Sequence, residues 1–370
     1  MPATAALEKE QKKIADLDPV TDPAEAAEEA GLRYVSDDQP GYTRKRKGDD
    51  FEYFDGQGKP ITDEKRLLRI KRLAIPPAYT EVWICPTANG HLQATGRDAR
   101  GRKQYRYHEK WREARDETKY ERTLIFGAAL PKIRKRVEED LALPGLSKNK
   151  VLATIVSIME RTFIRVGNEE YARTNKSYGL TTMRNKHVAV KGSKVQFKFR
   201  GKSGVEHQHA IADRRLARIV KKVQDLPGQE LFGYVDDEGT VQDVKSQDVN
   251  DYLKEITGED FTAKDLRTWA GTVLAAVALN AAESFENKTQ AKKNVKVAIA
   301  AVSKILRNTP AVCRKCYVHP AVLETYLSGE MIEGLRRKTE ETLTQNLQDL
   351  RSVEAAVMAF LQAHLAQAKK

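Results

Sequence analysis

The chain has 370 residues, 40% of them hydrophobic, so it can bury a sizeable core and its length favours two domains. Lys and Arg number 64 against 52 acidic residues; the net charge of +12 points to a polyanion such as nucleic acid, with an acidic membrane surface as the other candidate. No apolar run reaches the ~18 residues of a spanning helix, and the Ala- and Glu-rich start lacks a signal-peptide core, so a soluble, cytoplasmic protein with no membrane partner is expected. Cys85, Cys313 and Cys316 cannot all pair with one another and are expected as free thiols.

Residues 1–30 hold few large apolar side chains and read as a flexible extension or loose helix. Strand-like pieces follow at Leu32–Val35, Tyr42–Arg46 and Phe51–Phe54, the last before an Asp55-Gly56 turn. A helix opening at Thr62 carries Leu67, Ile70 and Leu73 on one face and ends at Pro76-Pro77. Val82–Cys85 and His91–Thr95 flank Asn89-Gly90, a hairpin signal. The segment from Gly96 to His108 gathers Arg97, Arg100, Arg102, Lys103 and Arg106 around Tyr105 and Tyr107. Cations there neutralise phosphates and tyrosines bond bases or phosphates, so nucleic-acid contact is the favoured reading over a solvated charge run.

The charged stretch from Glu109 to Thr123 reads as an interdomain connection, after which helical patterns begin. Phe126–Leu141 is one helix. Ser147 caps another, with a stripe of Val151, Ile155, Ile158, Thr162 and Val166 closed by Gly167, which puts Arg165 in its last turn. Leu180–Met183, His187–Val190, Lys194–Arg200 and Val205–Ile211 read as an antiparallel sheet, Lys202 standing at an exposed hairpin tip. Helices are then expected over Arg214–Gln224, Ser246–Ile256, Thr262–Ala282 and Thr289–Leu306, and from Glu324 onward. Leu343, Leu347, Leu350, Val357 and Leu361 offer a seam that packs on the domain.

Between them Thr309-Pro310 reads as an N-cap and first-turn proline, making Ala311–Val318 a short helix with Tyr317 near its end. Arg314 lies one turn earlier and Asn308 just before the cap, so a phenol is offered amid phosphate-binding groups, an arrangement suited to attack on a phosphodiester. By itself the segment better fits an ordinary half-buried tyrosine, and the other segments must shift that balance. Other signals fail. Gly201-Lys202-Ser203 has Gln196 where a Walker A loop needs its first glycine, so no nucleotide site is read there. Cys313, Cys316 and His319 lack a fourth zinc ligand; His207 and His209 share a strand face without a carboxylate or cysteine partner; Asp236-Asp237 decorates a turn.

In order, the chain offers Phe163-Ile-Arg165-Val-Gly167, Phe199-Arg-Gly-Lys202, Lys264-Asp-Leu-Arg267, Asn308-Thr-Pro and Tyr317, along with Arg102-Lys-Gln-Tyr-Arg-Tyr107 and Gly179-Leu-Thr-Thr-Met-Arg-Asn-Lys-His187. This series resembles that of type IB DNA topoisomerases, specifically the poxvirus-like and bacterial branch, from about Gly31 to beyond Tyr317. The resemblance implies relaxation of supercoiled duplex DNA through a 3′-phosphotyrosyl intermediate, without ATP, metal or any other cofactor. It implies Tyr317 as nucleophile, Arg165, Arg267 and Asn308 on the phosphate, Lys202 as general acid and Lys264 as auxiliary. Gln104, Tyr105, Tyr107 and Tyr171 match DNA-contacting positions.

An α+β protein is expected: a β-rich DNA-binding domain over 31–112 and a mainly helical catalytic domain with a small antiparallel sheet over 113–370. Together they would form a monomeric clamp around duplex DNA. The family usually has histidine where this chain has Asn308; both donate a neutral hydrogen bond, but only histidine shuttles protons. A tyrosine recombinase would use nearly the same set, though usually with His-x-x-Arg in place of Lys264-x-x-Arg267. A non-catalytic architectural DNA-binding protein is the reading from another class.

Overall fold

Alternating and aromatic residues after Leu32 pair as a five-stranded antiparallel sheet in the computed structural model, which describes residues 23–99, 101–282, 285–330 and 350–368. Its strands are β1 (Tyr42–Lys47), β2 (Asp50–Phe54), β3 (Thr80–Ile84), β4 (Leu92–Arg97) and β5 (Lys103–Tyr107), in the order β2-β1-β3-β4-β5. Helix α1 spans Pro23–Glu29, and α2 spans Glu64–Arg72 with Asp63 as N-cap. Ile70 of α2 packs with Tyr42, Val82, Ile84 and Ala94 to form the sheet's core. Residues 23–29, expected within a flexible extension, instead bury Ala27 with Leu32 and Trp111. Leu32–Val35 is not a strand; Arg33 makes an isolated bridge to Gly90.

The β3–β4 connection is also longer than a two-residue turn, because Ile84 pairs with Ala94 and the loop runs from Cys85 to His91. Gln93 holds it from within, its Nε2 donating to the carbonyls of Ala88 at 3.0 Å and Gly90 at 2.7 Å. A buried amide thus builds the loop that Asn89-Gly90 alone does not.

The chain divides into two units between Arg122 and Thr123. The stretch from Glu109, expected as a connection, is helical and continuous with the predicted helix, giving α3 (Glu109–Leu141). In the second unit α4 (Lys148–Thr162) is buried along most of its length. Helix α5 (Glu169–Asn175), strands β6 (Val188–Lys191), β7 (Lys194–Arg200) and β8 (Glu206–Ala212), and α6 (Arg214–Gln224) follow. The sheet runs β6-β7-β8, with Val195, Phe197 and Phe199 on its buried face as the alternation predicts. A two-stranded ribbon, β9 (Gly233–Val235) and β10 (Val241–Asp243), was not foreseen; Asp236 shapes its turn by accepting the Thr240 N–H.

The remaining helices are α7 (Ser246–Thr257), α8 (Ala263–Asn280), α9 (Lys288–Leu306), α10 (Pro310–Tyr317), α11 (Pro320–Ser328) and α12 (Leu350–Ala368). Leu343 and Leu347 of the expected seam lie outside the described residues, while Val357 and Leu361 of α12 are fully buried. Helix α12 is fastened to α8 and α3 by Glu354, which takes a forked pair from Arg134 at 2.8 and 2.9 Å and the Trp269 indole N–H at 3.2 Å. No helix among the described residues is long and apolar enough to cross a membrane.

Two expectations fail around Arg165. Helix α4 ends at Thr162 because Phe163 turns left-handed (φ +56°), so Val166 and Gly167 are outside it and Arg165 is not in its last turn. Leu180–Thr182 is a single 3₁₀ turn, as is Asn185–His187. The cause is a tight backbone crossing. A Cβ on Gly179 would sit 2.5 Å from the Gly167 Cα, and Gly167 itself holds φ +124°, open only to glycine. Arg165 is fixed there, its carbonyl accepting from Leu180 N at 3.0 Å while Val166 accepts from Thr181 N at 2.7 Å.

Candidate active site

Helix ends assemble the site. Thr309 caps α10 by accepting the Val312 N–H, Pro310 takes the first turn, and Tyr317 is the last residue, half-buried. Its backbone is seated on α8. A Cβ on Gly271 would fall 2.3 Å from the Tyr317 carbonyl oxygen, so no side chain fits at 271. Thr272 Oγ1 lies 3.5 Å from that oxygen and accepts the His319 N–H at 3.1 Å.

Arg267, one turn earlier on α8, is 4% exposed. Its two Nη atoms donate to the carbonyls of Phe163, just past α4, and Leu306, the last residue of α9, the latter at 2.6 Å. The guanidinium therefore rests on the carbonyl ends of two helices, where the dipoles favour a cation. Burial, and then the charge of Arg165, push it below its ordinary value, while the Tyr317 phenol favours its charged form; an arginine stays ionised regardless. Its Cζ lies 5.2 Å from the centre of the Tyr317 ring. Arg165 Nη2 reaches the Arg307 carbonyl at 3.4 Å, past the same end of α9. Arg307 is left-handed (φ +50°), which turns the chain into Asn308.

Buried polar atoms without partners have hydrogen-bonding capacity that a ligand can use. Arg267 Nε and both Asn308 Nδ2 and Oδ1 are of this kind. Each buried polar group left unpaired costs ~1–3 kcal/mol, and a phosphate oxygen supplies what the two donors lack. A guanidinium and a phenol thus meet, and Asn308 follows two residues after the Leu306 carbonyl on which that guanidinium rests.

Lys202 is exposed, in a 3₁₀ turn (Lys202–Gly204) at the tip of the β7–β8 hairpin. Lys264 is exposed in the first turn of α8, one turn before Arg267, and among the described residues neither lysine makes a salt bridge. Cys313 is fully buried in α10, burial pushing its thiol up to about 11, and His319 caps α11 by accepting the Ala321 N–H at 3.1 Å; both are engaged in the fold.

The basic segment of the first unit is largely the β4–β5 hairpin; three of its cations are matched by local acids, while Arg106 donates to the Ala74 carbonyl at 2.6 Å. Arg97 pairs with Glu81 at 2.8 Å, Arg102 with Asp98 at 2.7 Å and Lys103 with Asp37 at 2.6 Å, while Gln104 donates to Asp98 at 3.0 Å. Arg100 lies outside the described residues. Tyr105 and Tyr107, 49% and 39% exposed, are stacked on one strand face with centroids 5.9 Å apart. Tyr171 is 46% exposed on α5.

Sequence reasoning missed Gly271, Thr272 and the carbonyls under Arg267. A glycine inside a helix signals close approach and would have found the first; the others are contacts between distant segments.

A phenol beside a buried arginine is an arrangement suited to phosphodiester transfer. The family described as "Eukaryotic DNA topoisomerase I, catalytic core" matches residues 108–347, and "Bacterial DNA topoisomerase IB, N-terminal domain" matches residues 50–98. The DNA topoisomerase 1B of Acanthamoeba polyphaga mimivirus is 34% identical over 293 residues, covering 77% of this chain and 87% of that protein. DNA topoisomerase 1B of vaccinia virus (strain Copenhagen) is 23% identical over 76% of this chain and 88% of its own. DNA topoisomerase 1 of rabbit fibroma virus is 25% identical over 72% and 84%.

The chain belongs to the type IB DNA topoisomerases. Its activity is relaxation of supercoiled DNA by transient single-strand cleavage through a 3′-phosphotyrosyl link, strand rotation and religation; the recombinase and architectural readings fall away.

Proposed function

We propose that Tyr317 is the nucleophile of this reaction and that Arg165, Arg267, Asn308 and Lys202 perform it, with Lys264 as auxiliary. The observation that carries the assignment is a buried arginine with an unpartnered Nε, its guanidinium 5.2 Å from the centre of the Tyr317 ring. Tyr317 Oη attacks the phosphorus and gives its proton to solvent water; the bond to the 5′ oxygen breaks and Lys202 supplies the proton that leaves with it as a hydroxyl. Arg267, Arg165 and Asn308 meet the charge that builds on the non-bridging oxygens, pre-set by the fold and so needing no reorganisation. Religation is the reverse, the 5′ hydroxyl attacking the phosphotyrosine. The bond energy is conserved, so no ATP is consumed, and fixed cations take the part a metal would play.

The two units act in this reading as a monomeric clamp on duplex DNA in the cytoplasm. Each carries its own DNA-facing candidates, Arg97, Arg100, Arg102, Lys103, Gln104, Tyr105 and Tyr107 in the first and Tyr171 in the second. The ion pairs of Arg97, Arg102 and Lys103 make phosphate contact there an exchange of partners.

The test is relaxation of negatively supercoiled plasmid in excess EDTA without ATP. A ladder of relaxed topoisomers is expected; relaxation only on adding metal or ATP overturns the cofactor-free reading. Asn308 is a donor and not a proton shuttle, so Asn308→Ala is expected to slow single-turnover cleavage by ~10²–10³-fold while Asn308→His stays within several-fold of the native rate. Equal rates for all three proteins would remove Asn308 from the mechanism.

A further inference from the structure

Just behind the Lys202 turn lies a buried histidine that the mechanism above does not use. His207 on β8 is 4% exposed and pairs across the strands with Phe199, the ring centroids 4.9 Å apart and nearly parallel. His209 stacks beside it at 5.6 Å, its Nε2 lying 3.4 Å from His207 Nδ1. The other nitrogen, Nε2, is buried without a partner.

That nitrogen faces the turn. A Cβ on Gly201 would lie 2.6 Å from both Cδ2 and Nε2 of His207, so the imidazole is the floor under the residue preceding Lys202. On the far side of the turn, a Cβ on Gly204 would lie 2.8 Å from an Arg200 Nη atom, and Gly204 holds φ +76°. Two backbone bonds close the turn, Gly201 N to Val205 O at 2.8 Å and Gly204 N to Gly201 O at 3.0 Å. Since Lys202 is exposed, its reach is set by this backbone and not by packing of its own side chain.

We propose that His207 is a positioning residue that holds the Lys202 turn where its ammonium can protonate the leaving 5′ oxygen. This rests on the reading of Lys202 as the general acid. The ring serves as a flat, uncharged support: burial, then His209, then Arg165, Arg307 and Arg267 keep it neutral, its value pushed down to about 4. A charged imidazole would repel the same lysine it supports.

The test separates leaving-group protonation from the rest of the chemistry. A 5′-bridging sulfur leaves as a thiolate, whose pKa of ~8.5 removes the need for an acid. Single-turnover cleavage is measured on duplexes with oxygen or sulfur at the scissile 5′ position, for the native protein, Lys202→Ala and His207→Ala. His207→Ala should be at least tenfold slow on oxygen and within about twofold of native on sulfur, a parallel to Lys202→Ala. A variant equally slow on both substrates overturns the inference, since a structural defect would not distinguish them; so does one with native rates on oxygen. If sulfur restores His207→Ala but not Lys202→Ala, the assignment of Lys202 itself is wrong.

Should His207→Ala not fold, Gly201→Ala presses a methyl group into the same ring from the other side. Its backbone φ of −99° suits alanine. The same selective loss on oxygen is expected, and its absence counts against the proposal.

Discussion

Tyr317→Phe is expected to leave no covalent protein–DNA adduct on a suicide duplex and to abolish plasmid relaxation, a loss on the order of 10⁴-fold or more, while duplex binding persists. The substitution removes one hydroxyl from a residue whose backbone is gripped by Gly271 and Thr272, so the helix that carries it keeps its seat. Arg165, Arg267 and the candidates of the first unit are untouched, and phosphate contacts carry the larger part of affinity. An adduct on Tyr317→Phe would move the nucleophile elsewhere.

Arg267→Ala is expected to slow cleavage by ~10²–10³-fold, and it should also lower the melting temperature, which Tyr317→Phe should not. The reason is its double employment. Two of its nitrogens hold the carbonyls of Phe163 and Leu306, which a methyl group leaves buried and unpaired at ~1–3 kcal/mol each. Arg267→Lys keeps the charge but not the fork: an ammonium cannot reproduce a guanidinium that serves both helix ends and still keeps Nε for a ligand. It should therefore recover part of the stability and little of the rate. Cleavage at native speed by Arg267→Lys would show that charge alone suffices there.

Local chemistry made most helices readable. Thr309-Pro310, Thr262 and Ser147 announce starts within a residue of those found, since a cap is satisfied by the chain just beyond it. The sheet face of Val195, Phe197 and Phe199 was equally plain. The ordered Arg, Lys, Arg, Asn and Tyr series was legible as motifs, but not the backbone carbonyls on which Arg165 and Arg267 rest. Phe163 ends α4 early, with its carbonyl taken by an arginine from α8, and the Gly167–Gly179 crossing reshapes Leu180–Thr182. Such contacts join segments far apart in sequence, and periodicity carries no trace of them. The acids that neutralise Arg97 and Lys103 come from β3 and from before β1, which is why the segment reads as more basic than it is.

The seat of Tyr317 has a mechanical meaning as well as a geometric one. On the proposed assignment of Tyr317 as nucleophile, the held strand end would pull on the protein through this single side chain while the free strand swivels, and torque in the duplex would become load on that attachment. From Tyr317 the load passes directly into the backbone of α8 at Gly271, a contact with no compliant side chain between. Helix α8 is in turn braced by Trp269 on Glu354 and, through it, Arg134. With Tyr317 as the proposed nucleophile, the phenol is anchored to a braced helix, so rotation would be taken up by the DNA while the phosphotyrosine stays in register for religation.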